Sequence, residues 1–586
     1  MVDLNSAFTS QTESGVLRFS GLASGIDSQS TIDAIIQARR APIVNIEDKI
    51  EANNNRVAAY EEFKSLATDF KSALNLLRGD NSFSNTDVFK QKLAFSTAAA
   101  TDTAPADHTP SEASSILGVS TTNKATEASH TVVVKQLAKA NQIRTDAFNS
   151  KTTDLTTLGV TAGTFTLNGE TITVNAGDTL VDLRDKINSS ESGVNATVIS
   201  SDSTTHYLVL SADDTGTANA IDLAGGTVTS DDLGLTDGLG SVKNELVAAR
   251  DAILDVNGLT DITRSSNTID DIIEGVTLDL FKAETDTEIT VDIEADLAGV
   301  KEAVNSFVES FNAIRDFIAE QRTEVDRDED GDKEFGPLAF DATLRQISER
   351  MNLTVAKAVD GLADGYQSMG QIGVVMNSNF RLEMDNDVFD NKILTNLDGV
   401  RKVFAFDFSS SDSRVTHLSH TGQTTDGTYY LNVAGTDVDG NVTSANIQTS
   451  AGAGAGGADD GSAVATSSTV LATSDVDAQG LKLLYSGGAS DGGVDDVEIS
   501  YTRGVADQLY YFFNDVTKSQ GTIDKTVNTL EEQTGDFEDR IANLEARLAV
   551  YEKQLQAKFV AMETAVAQLE SLKSTLTQYQ EQQGGE

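Results

Sequence analysis

The sequence of 586 residues contains no cysteine and no tryptophan, and it has only four prolines and five histidines. Without cysteine there is neither a disulfide framework nor thiolate chemistry, so packing alone has to hold the fold. No run of about 18 apolar residues exists, and residues 1–20 lack the basic start and apolar core of a signal peptide. We therefore expect no membrane insertion, and a protein that is cytoplasmic or exported without cleavage.

Positive charge is also scarce. The chain has 43 Lys and Arg against 91 Asp and Glu, a formal net charge of −48. Such an excess repels nucleic-acid phosphates and anionic lipid headgroups, so neither is an expected partner. The acidic residues are spread along the chain, which indicates a solvated surface.

Catalytic motifs are missing from the sequence. It contains no nucleophile elbow and no HExxH motif. The two neighbouring histidines, His417 and His420, lie in a polar segment, and we interpret them as solvated side chains rather than metal ligands. We therefore predict no enzyme activity and no cofactor, with one exception that concerns calcium.

An acidic loop carries that exception. Asp326, Asp328 and Asp330 precede Gly331 with the spacing of a calcium loop of EF-hand type. The closing glutamate of such a loop is missing, because its position is occupied by Pro337. Two interpretations remain open, a weak calcium site and an acidic surface turn.

The C-terminal region has one continuous heptad pattern. Apolar residues recur at alternating spacings of four and three from Ile523 to Tyr579. A helix of this length extends roughly 80 Å, with Gly535 as the only expected interruption, and it needs a partner helix. The alternative is a long amphipathic helix folded back on its own domain. The predicted assembly seam on this arm consists of Ile541, Leu544, Leu548, Tyr551, Leu555, Met562, Leu569 and Leu572.

The N-terminal region supplies the partner helix. Residues 27–30 offer helix N-caps, and Pro42 is expected to end or restart the helix. Asn53 falls on the seam, either as a register-setting polar residue or at a solvated kink. A third helix, from Leu297 to Val325, is a further candidate for the bundle. The apolar seam of the N-terminal arm consists of Ile43, Ile46, Ile50 and Val57.

The middle of the chain is rich in predicted strands. Asn168 and Gly169 form a hairpin-turn signal between alternating apolar residues, and Thr179 is placed to cap a short helix. Residues 163–212 are therefore predicted to form a ββαββ unit. A second hairpin signal occurs at Asn257 and Gly258.

The predicted fold class is α+β and multidomain, in which N- and C-terminal helical, coiled-coil arms pack as a bundle and β-rich head domains are inserted between them. The predicted boundaries are a disordered tail at 1–20, an N-terminal helical arm at 21–95, a linker and the start of the head at 96–128, β-rich head domains at 129–294, a helical and hairpin segment at 295–408, a strand-poor Gly/Ser/Thr/Asp-rich insertion at 409–480, the C-terminal coiled-coil arm at 481–580, and a tail at 581–586.

Several stretches resemble one known family in the same order along the chain. The sequence GLASGID at 21–27, with Arg40 and Pro42 after it, resembles the N-terminus of the bacterial flagellar filament-capping proteins, the hook-associated protein 2 family. Further resemblances lie at 163–210, 256–278, 338–344 and 370–373, and in the final heptad arm. The acidic loop at 326–334 and the segment 409–480 depart from the family pattern.

The resemblance implies a structural protein at the filament tip that promotes folding and insertion of exported flagellin and prevents its loss. It implies a ring-shaped homo-oligomer, a pentamer by family resemblance, exported without a cleaved signal peptide and located outside the cell on the flagellum. Flagellin, a cytoplasmic export chaperone and host or surface receptors are the partners it suggests. The alternatives are a surface adhesin and a static protein of the hook–filament junction.

Overall fold

The computed structural model describes residues 10–11, 17–18, 27–79, 87–223, 227–325, 334–359, 361–451, 462–466, 469–472 and 477–583. The chain divides into two compact units. A discontinuous unit comprises Met1–Phe83 and Ala303–Glu586, and an inserted unit comprises Ser84–Glu302. Helical segments at both ends of the chain and β-rich segments between them confirm the predicted fold class.

The discontinuous unit starts with two short strands and one long helix, namely β1 (Ser10–Gln11), β2 (Leu17–Arg18) and α1 (Ser28–Leu77). β1 and β2 pair antiparallel, within the region for which a disordered tail was predicted. The side chain of Asp27 caps α1 by accepting a hydrogen bond from the Ser30 backbone N–H at 3.1 Å. The prediction that Pro42 ends or restarts the helix is wrong. Proline removes a single backbone hydrogen bond, and the buried Ile43 and Ile46 hold the next turn in place.

The inserted unit consists almost entirely of antiparallel sheets. Its elements are β3 (Lys92–Ala100), α2 (Ala113–Ile116), β4 (Leu117–Thr121), β5 (Ala128–Gln136), β6 (Ala140–Arg144), β7 (Gly163–Leu167), β8 (Glu170–Val174), α3 (Leu180–Asn188), β9 (Val194–Asp202), β10 (Thr205–Thr215), α4 (Val228–Asp232), β11 (Glu245–Val247), β12 (Ala252–Val256), β13 (Leu259–Arg264), β14 (Thr268–Ile273), β15 (Val276–Leu280) and β16 (Thr287–Ala295). α5 (Leu297–Gln321) then leads into the discontinuous unit.

Two hydrophobic cores organise these strands. A five-stranded sheet of order β13-β12-β5-β16-β3 and a three-stranded sheet of order β14-β15-β4 share the first core. The second core is built around the predicted ββαββ unit, which has the order β7, β8, α3, β9, β10, and it also includes residues on both sides of that unit, such as Ile143 and Leu233. The turn between β7 and β8 of this unit is tight because Asn168 and Gly169 have φ angles of 50° and 89°. Thr179 and Asp182 form a capping box at the start of α3.

The predicted linker at 96–128 is wrong in part. Its first residues belong to β3, which starts at Lys92, and β4 lies further along it. β3 pairs with β16 at all nine of its residues. An Ala- and Thr-rich composition suggested a linker, but backbone hydrogen bonds stabilise a strand whatever its side chains are.

The remainder of the discontinuous unit alternates helices with one large sheet. Its elements are α6 (Ala342–Ala356), β17 (Val374–Met376), β18 (Leu382–Met384), α7 (Asn386–Thr395), α8 (Leu397–Phe404), β19 (Phe406–Ser410), β20 (Val415–Ser419), β21 (Gly427–Val433), β22 (Ala445–Gln448), β23 (Ser462–Thr466), β24 (Thr469–Ala472), β25 (Lys482–Tyr485), β26 (Val494–Arg503), α9 (Val505–Thr517) and α10 (Thr522–Gln583). β19 to β26 form one eight-stranded sheet of order β19-β26-β21-β22-β23-β24-β25-β20.

Two predicted boundaries are wrong in this region. The segment 409–480 is not strand-poor, because β20 to β24 lie in it and belong to the eight-stranded sheet. The C-terminal arm does not start at residue 481, because β25 and β26 come first and α10 begins only at Thr522. The physical reason is that Tyr429, Leu431 and Val433 stand at alternating positions of β21, on one face of the sheet, and all three are buried. α10 also continues without a break through Gly535, where an interruption was expected.

Candidate assembly surface

The two terminal helices pack against each other. The guanidinium of Arg39 on α1 lies 4.2 Å from the ring centre of Tyr551 on α10. Further along α1, Lys64 Nζ is 2.6 Å from Asp524 Oδ1. Residue numbers rise along one helix while they fall along the other, so α1 and α10 are antiparallel.

Asn53 lies at the centre of this helix pair. Its residue surface is only 8% exposed. Its side-chain nitrogen donates to the backbone oxygen of Leu530 and to Thr534 Oγ1, each at 3.4 Å. These bonds to α10 favour the register-setting interpretation over a solvated kink.

The predicted seam residues differ in burial along the arms. On α1, Ile43 and Ile46 are buried, at 1% and 6% exposure, and Ile50 and Val57 are half-buried. On α10, Leu569 and Leu572 are exposed, at 67% and 62%. The half-buried seam residues of α10 are Ile541, Leu544, Leu548, Tyr551, Leu555 and Met562.

This gradient follows from the unequal lengths of the two helices. In the register set by Arg39 with Tyr551 and Lys64 with Asp524, Ser28 falls opposite about residue 560 of α10. The rest of α10 extends beyond the start of α1 by roughly 20 residues, or about 30 Å. Leu569, Leu572, Leu576 and Tyr579 are all exposed on this overhang. An apolar seam exposed in this way is a candidate surface for a partner.

A third helix completes the bundle, as the sequence predicted. The rings of Phe63 on α1 and Phe317 on α5 are 5.7 Å apart, and Phe70 is 5.6 Å from Phe307. On another side, Phe70 meets Phe513 of α9 at 4.9 Å, edge to face. Because these rings are buried, their packing joins α1, α5 and α9 into one core.

A buried charge cluster ties the end of α1 to α9 and to the eight-stranded sheet. The side chain of Asp507 is fully buried and accepts a hydrogen bond from Arg503 Nε at 2.7 Å. His420 Nε2 lies 3.1 Å from both of its oxygens, and Arg78 Nε is 3.5 Å away. Burial alone raises the pKa of Asp507, but these three neighbours lower it to about 2. The carboxylate therefore stays charged inside the unit.

His420 is buried and His417 is half-buried, so our interpretation of both as solvated side chains was wrong. His417 lies on β20, and its Nε2 is 3.1 Å from His420 Nδ1. Burial lowers the pKa of His417 to about 3. Sequence reasoning missed Asp507 altogether, and its only signal was a carboxylate in the first turn of the mostly apolar helix α9. In the part of the chain that the structure describes, no cluster of three or more His, Asp or Glu side chains is arranged to hold a metal ion.

The predicted calcium ligands Asp326, Asp328 and Asp330 lie outside the described residues. The residues on either side of this loop pair with each other. The backbone N–H of Val325 donates to the backbone oxygen of Glu334 at 3.0 Å, and the reverse bond is 2.9 Å long.

None of the helices, as far as they are described, is long and apolar enough to cross a lipid bilayer.

These features define a class of protein, a structural assembly protein that carries β-rich domains between paired terminal helices. Family models of flagellar hook-associated protein 2 match the chain, the N-terminal model at 24–141 and the C-terminal model at 249–571. The C-terminal model alone covers more than half of the sequence, and the chain belongs to the flagellar hook-associated protein 2 family. The flagellin hook IN motif matches 157–214, which contains the ββαββ unit.

Two curated relatives agree with this assignment. The chain is 30% identical over 309 residues to a lateral flagellar hook-associated protein 2 of Vibrio parahaemolyticus, a match that covers 50% of this chain and 66% of the relative. It is 25% identical over 426 residues to an A-type flagellar hook-associated protein 2 of Pseudomonas aeruginosa, covering 69% and 84%. A crystal structure of the D1-D2-D3 domains of the flagellar cap protein FliD from Escherichia coli has 25% identity, a TM-score of 0.47, and coverage of 59% and 89%.

Proposed function

We propose that this chain is a structural capping protein at the distal tip of the bacterial flagellar filament. It promotes the folding and insertion of exported flagellin subunits and prevents their loss. The observation that supports this most strongly is the pair of arms, together with the family match. α10 overruns α1 and presents Leu569 and Leu572 to solvent, and this surface is suited to pack against another subunit.

The cap is a ring-shaped homo-oligomer in this proposal, and the pentamer expected from the family resemblance is the number of subunits to test. The ring is held by the exposed and half-buried seam residues of α10, since burial of apolar surface contributes roughly 25 cal/mol per Å². No catalytic step is required, because association itself drives each insertion. Export leaves the N-terminus uncleaved, and a cytoplasmic chaperone and surface receptors remain further candidate partners.

A matched pair of substitutions on α10 tests this proposal. Leu548 is a half-buried seam residue, and its neighbour Ala549 is exposed. In cells that lack the chain, Leu548→Asp should give a soluble protein with a normally folded inserted unit, no filaments, and flagellin in the medium. A carboxylate on the seam opposes burial. Ala549→Asp adds the same charge outside the seam and should restore filament growth.

Two outcomes would contradict the proposal. Normal filaments with Leu548→Asp mean that the arm is not the assembly element. An inserted unit unfolded by Leu548→Asp means that the arm serves folding rather than assembly. An adhesin would leave filament growth unchanged in cells that lack the chain, and a junction protein would be found at the base of the filament.

A further inference from the structure

A groove of about 600 Å³ runs between α1 and α5 in the discontinuous unit. The two helices are held apart by large aromatic rings. Phe70 of α1 packs on Phe307 at 5.6 Å and on Phe311 at 6.0 Å. Several residues that line the groove, among them Ser72, Ala73 and Ser310, are smaller than these rings, and this difference in size leaves a concave surface.

The walls of the groove are mostly apolar. Leu66, Ala73 and Leu76 of α1 and Ala313 of α5 line it. Leu76 is 48% exposed, although it lies next to a buried core. Covering such a surface with another apolar surface lowers the free energy.

Two of the three serines that line the groove do not oppose apolar contact. Ser72 Oγ donates to the backbone oxygen of Thr68 at 3.1 Å, within α1. Ser310 Oγ donates in the same way to the oxygen of Ser306 at 2.6 Å. The hydrogen-bonding needs of these two serines are met inside their own helices, so a ligand that covers them leaves neither hydroxyl unsatisfied.

The dimensions of the groove fit a helix. From Leu66 to Leu76 the lined part of α1 is about 15 Å long, which equals roughly three turns of an α-helix. An amphipathic helix laid along such a groove is an established mode of peptide recognition.

The exposed overhang of α10 in the same chain cannot reach the groove. α10 passes Lys64, at one end of the groove, where Asp524 lies 2.6 Å away. From Asp524 to Leu569 the continuous helix runs roughly 70 Å in the opposite direction. The overhang of the same chain is therefore not the occupant.

The charges at the rims select between possible partners. Asp69 and Glu309 are exposed and line the groove on opposite helices. The exposed α10 overhang of a second copy has Lys573 as its only cation, beside Glu563 and Glu570, so it offers these two rims little positive charge. A helix with Lys or Arg beside its apolar face is complementary to both rims.

We propose that the α1–α5 groove binds an amphipathic helix of the incoming flagellin subunit, with small or aliphatic residues facing the groove and Lys or Arg facing Asp69 and Glu309. This inference rests on the proposed function and adds the site of contact. The subunit folds against the groove before it leaves for its place in the filament.

Site-directed cross-linking tests the proposal, because the chain has no cysteine of its own. Ser72→Cys places a single thiol in the groove, where a maleimide photo-cross-linker is attached. Asp48→Cys gives a matched thiol elsewhere on the exposed surface of α1. Purified flagellin monomers are added to the labelled full-length chain under conditions of filament growth. We expect a cross-link to a flagellin helix from position 72 and none from position 48.

Charge reversal provides a second measurement. Asp69→Lys with Glu309→Lys should slow filament growth about tenfold, since two rim contacts become repulsive. Asp48→Lys with Glu51→Lys makes the same change in net charge away from the groove and should have no effect. Circular dichroism and urea unfolding check that both double variants are folded.

Each contrary outcome has a distinct meaning. A cross-link from position 72 to a second copy of the chain, or no cross-link while the labelled chain supports filament growth, overturns the groove proposal and leaves the capping proposal intact. Equal effects of the two charge reversals also overturn it. If the wild-type chain does not support filament growth at all, both proposals are wrong.

Discussion

Replacing Asp507 by Asn should destabilise the discontinuous unit by about 3 kcal/mol, because breaking a buried ion pair costs about 3–5 kcal/mol. The substitution keeps the size of the side chain and one oxygen that accepts from Arg503. It removes the charge that balances Arg503 and Arg78, whose side chains are only 9% and 6% exposed. Because the size of the side chain and one acceptor oxygen are kept, the value at the low end of the range applies.

The magnitude follows from two opposing effects. Each guanidinium within about 4 Å of the carboxylate contributes on the order of 4 kcal/mol at an effective dielectric constant near 20. Losing two such interactions is offset in part, because the variant no longer has to bury a carboxylate. The net loss of a few kcal/mol lowers the urea midpoint by roughly 1 M at an m-value of about 3 kcal/mol/M.

The distribution of aromatic residues provides the assay. Ten of the 11 tyrosines lie in the discontinuous unit, and Tyr207 is the only one in the inserted unit. The chain has no tryptophan, so Tyr207→Trp reports the inserted unit selectively. Asp507→Asn in this background should lower the midpoint from tyrosine fluorescence and leave the midpoint from tryptophan fluorescence unchanged.

A control and a refuting result complete the test. Asp515→Asn removes a carboxylate whose ion pair with Lys518 is exposed, so it should not change either midpoint measurably. If Asp507→Asn is as mild as Asp515→Asn, the cluster does not stabilise the unit. If it shifts the tryptophan midpoint equally, the two units do not unfold separately.

Three further predictions concern pH, arm register and calcium. Burial lowers the pKa of His417 from 6.5 to about 3, so near pH 6 the unfolded chain binds a proton that the folded chain excludes. The free energy of unfolding should therefore fall as the pH is lowered from 7 to 5, and His417→Gln should flatten this slope. An unchanged slope contradicts the assignment. Asn53→Leu should preserve stability but lower the disulfide yield between Arg39→Cys and Tyr551→Cys, because other registers become accessible; an equal yield means that Asn53 does not set the register. The loop at 326–331 should bind calcium with a Kd of about 10⁻⁴ to 10⁻³ M, and calorimetry that gives no heat, or equal heat after Asp328→Ala, identifies it as an acidic turn.

The arms and the ββαββ unit were predictable because their signals are local. A heptad repeat states which face of a helix is buried, whatever the partner is. Asn168 and Gly169 predict the type of turn, because this turn requires positive φ angles at both central positions and few residue types adopt them. These features need no knowledge of distant residues.

The eight-stranded sheet and the charge cluster were not predictable for the opposite reason. β21 pairs with β26 across more than sixty residues, and the polar composition between them hides the alternation of Tyr429 and Leu431. Asp507 meets Arg78 and His420 only after α1, β20 and α9 have packed. Sequence spacing carries no information on such contacts, so the histidines were interpreted as solvated.

The position of the chain on the flagellum tests the central claim most directly. A single cysteine at exposed Asp48, labelled with gold in growing cells, marks the chain for electron microscopy. Capping predicts one cluster of label at the distal end of each filament, which stays at the tip while the filament lengthens behind it. Label at the hook–filament junction, or along the filament, would contradict the account.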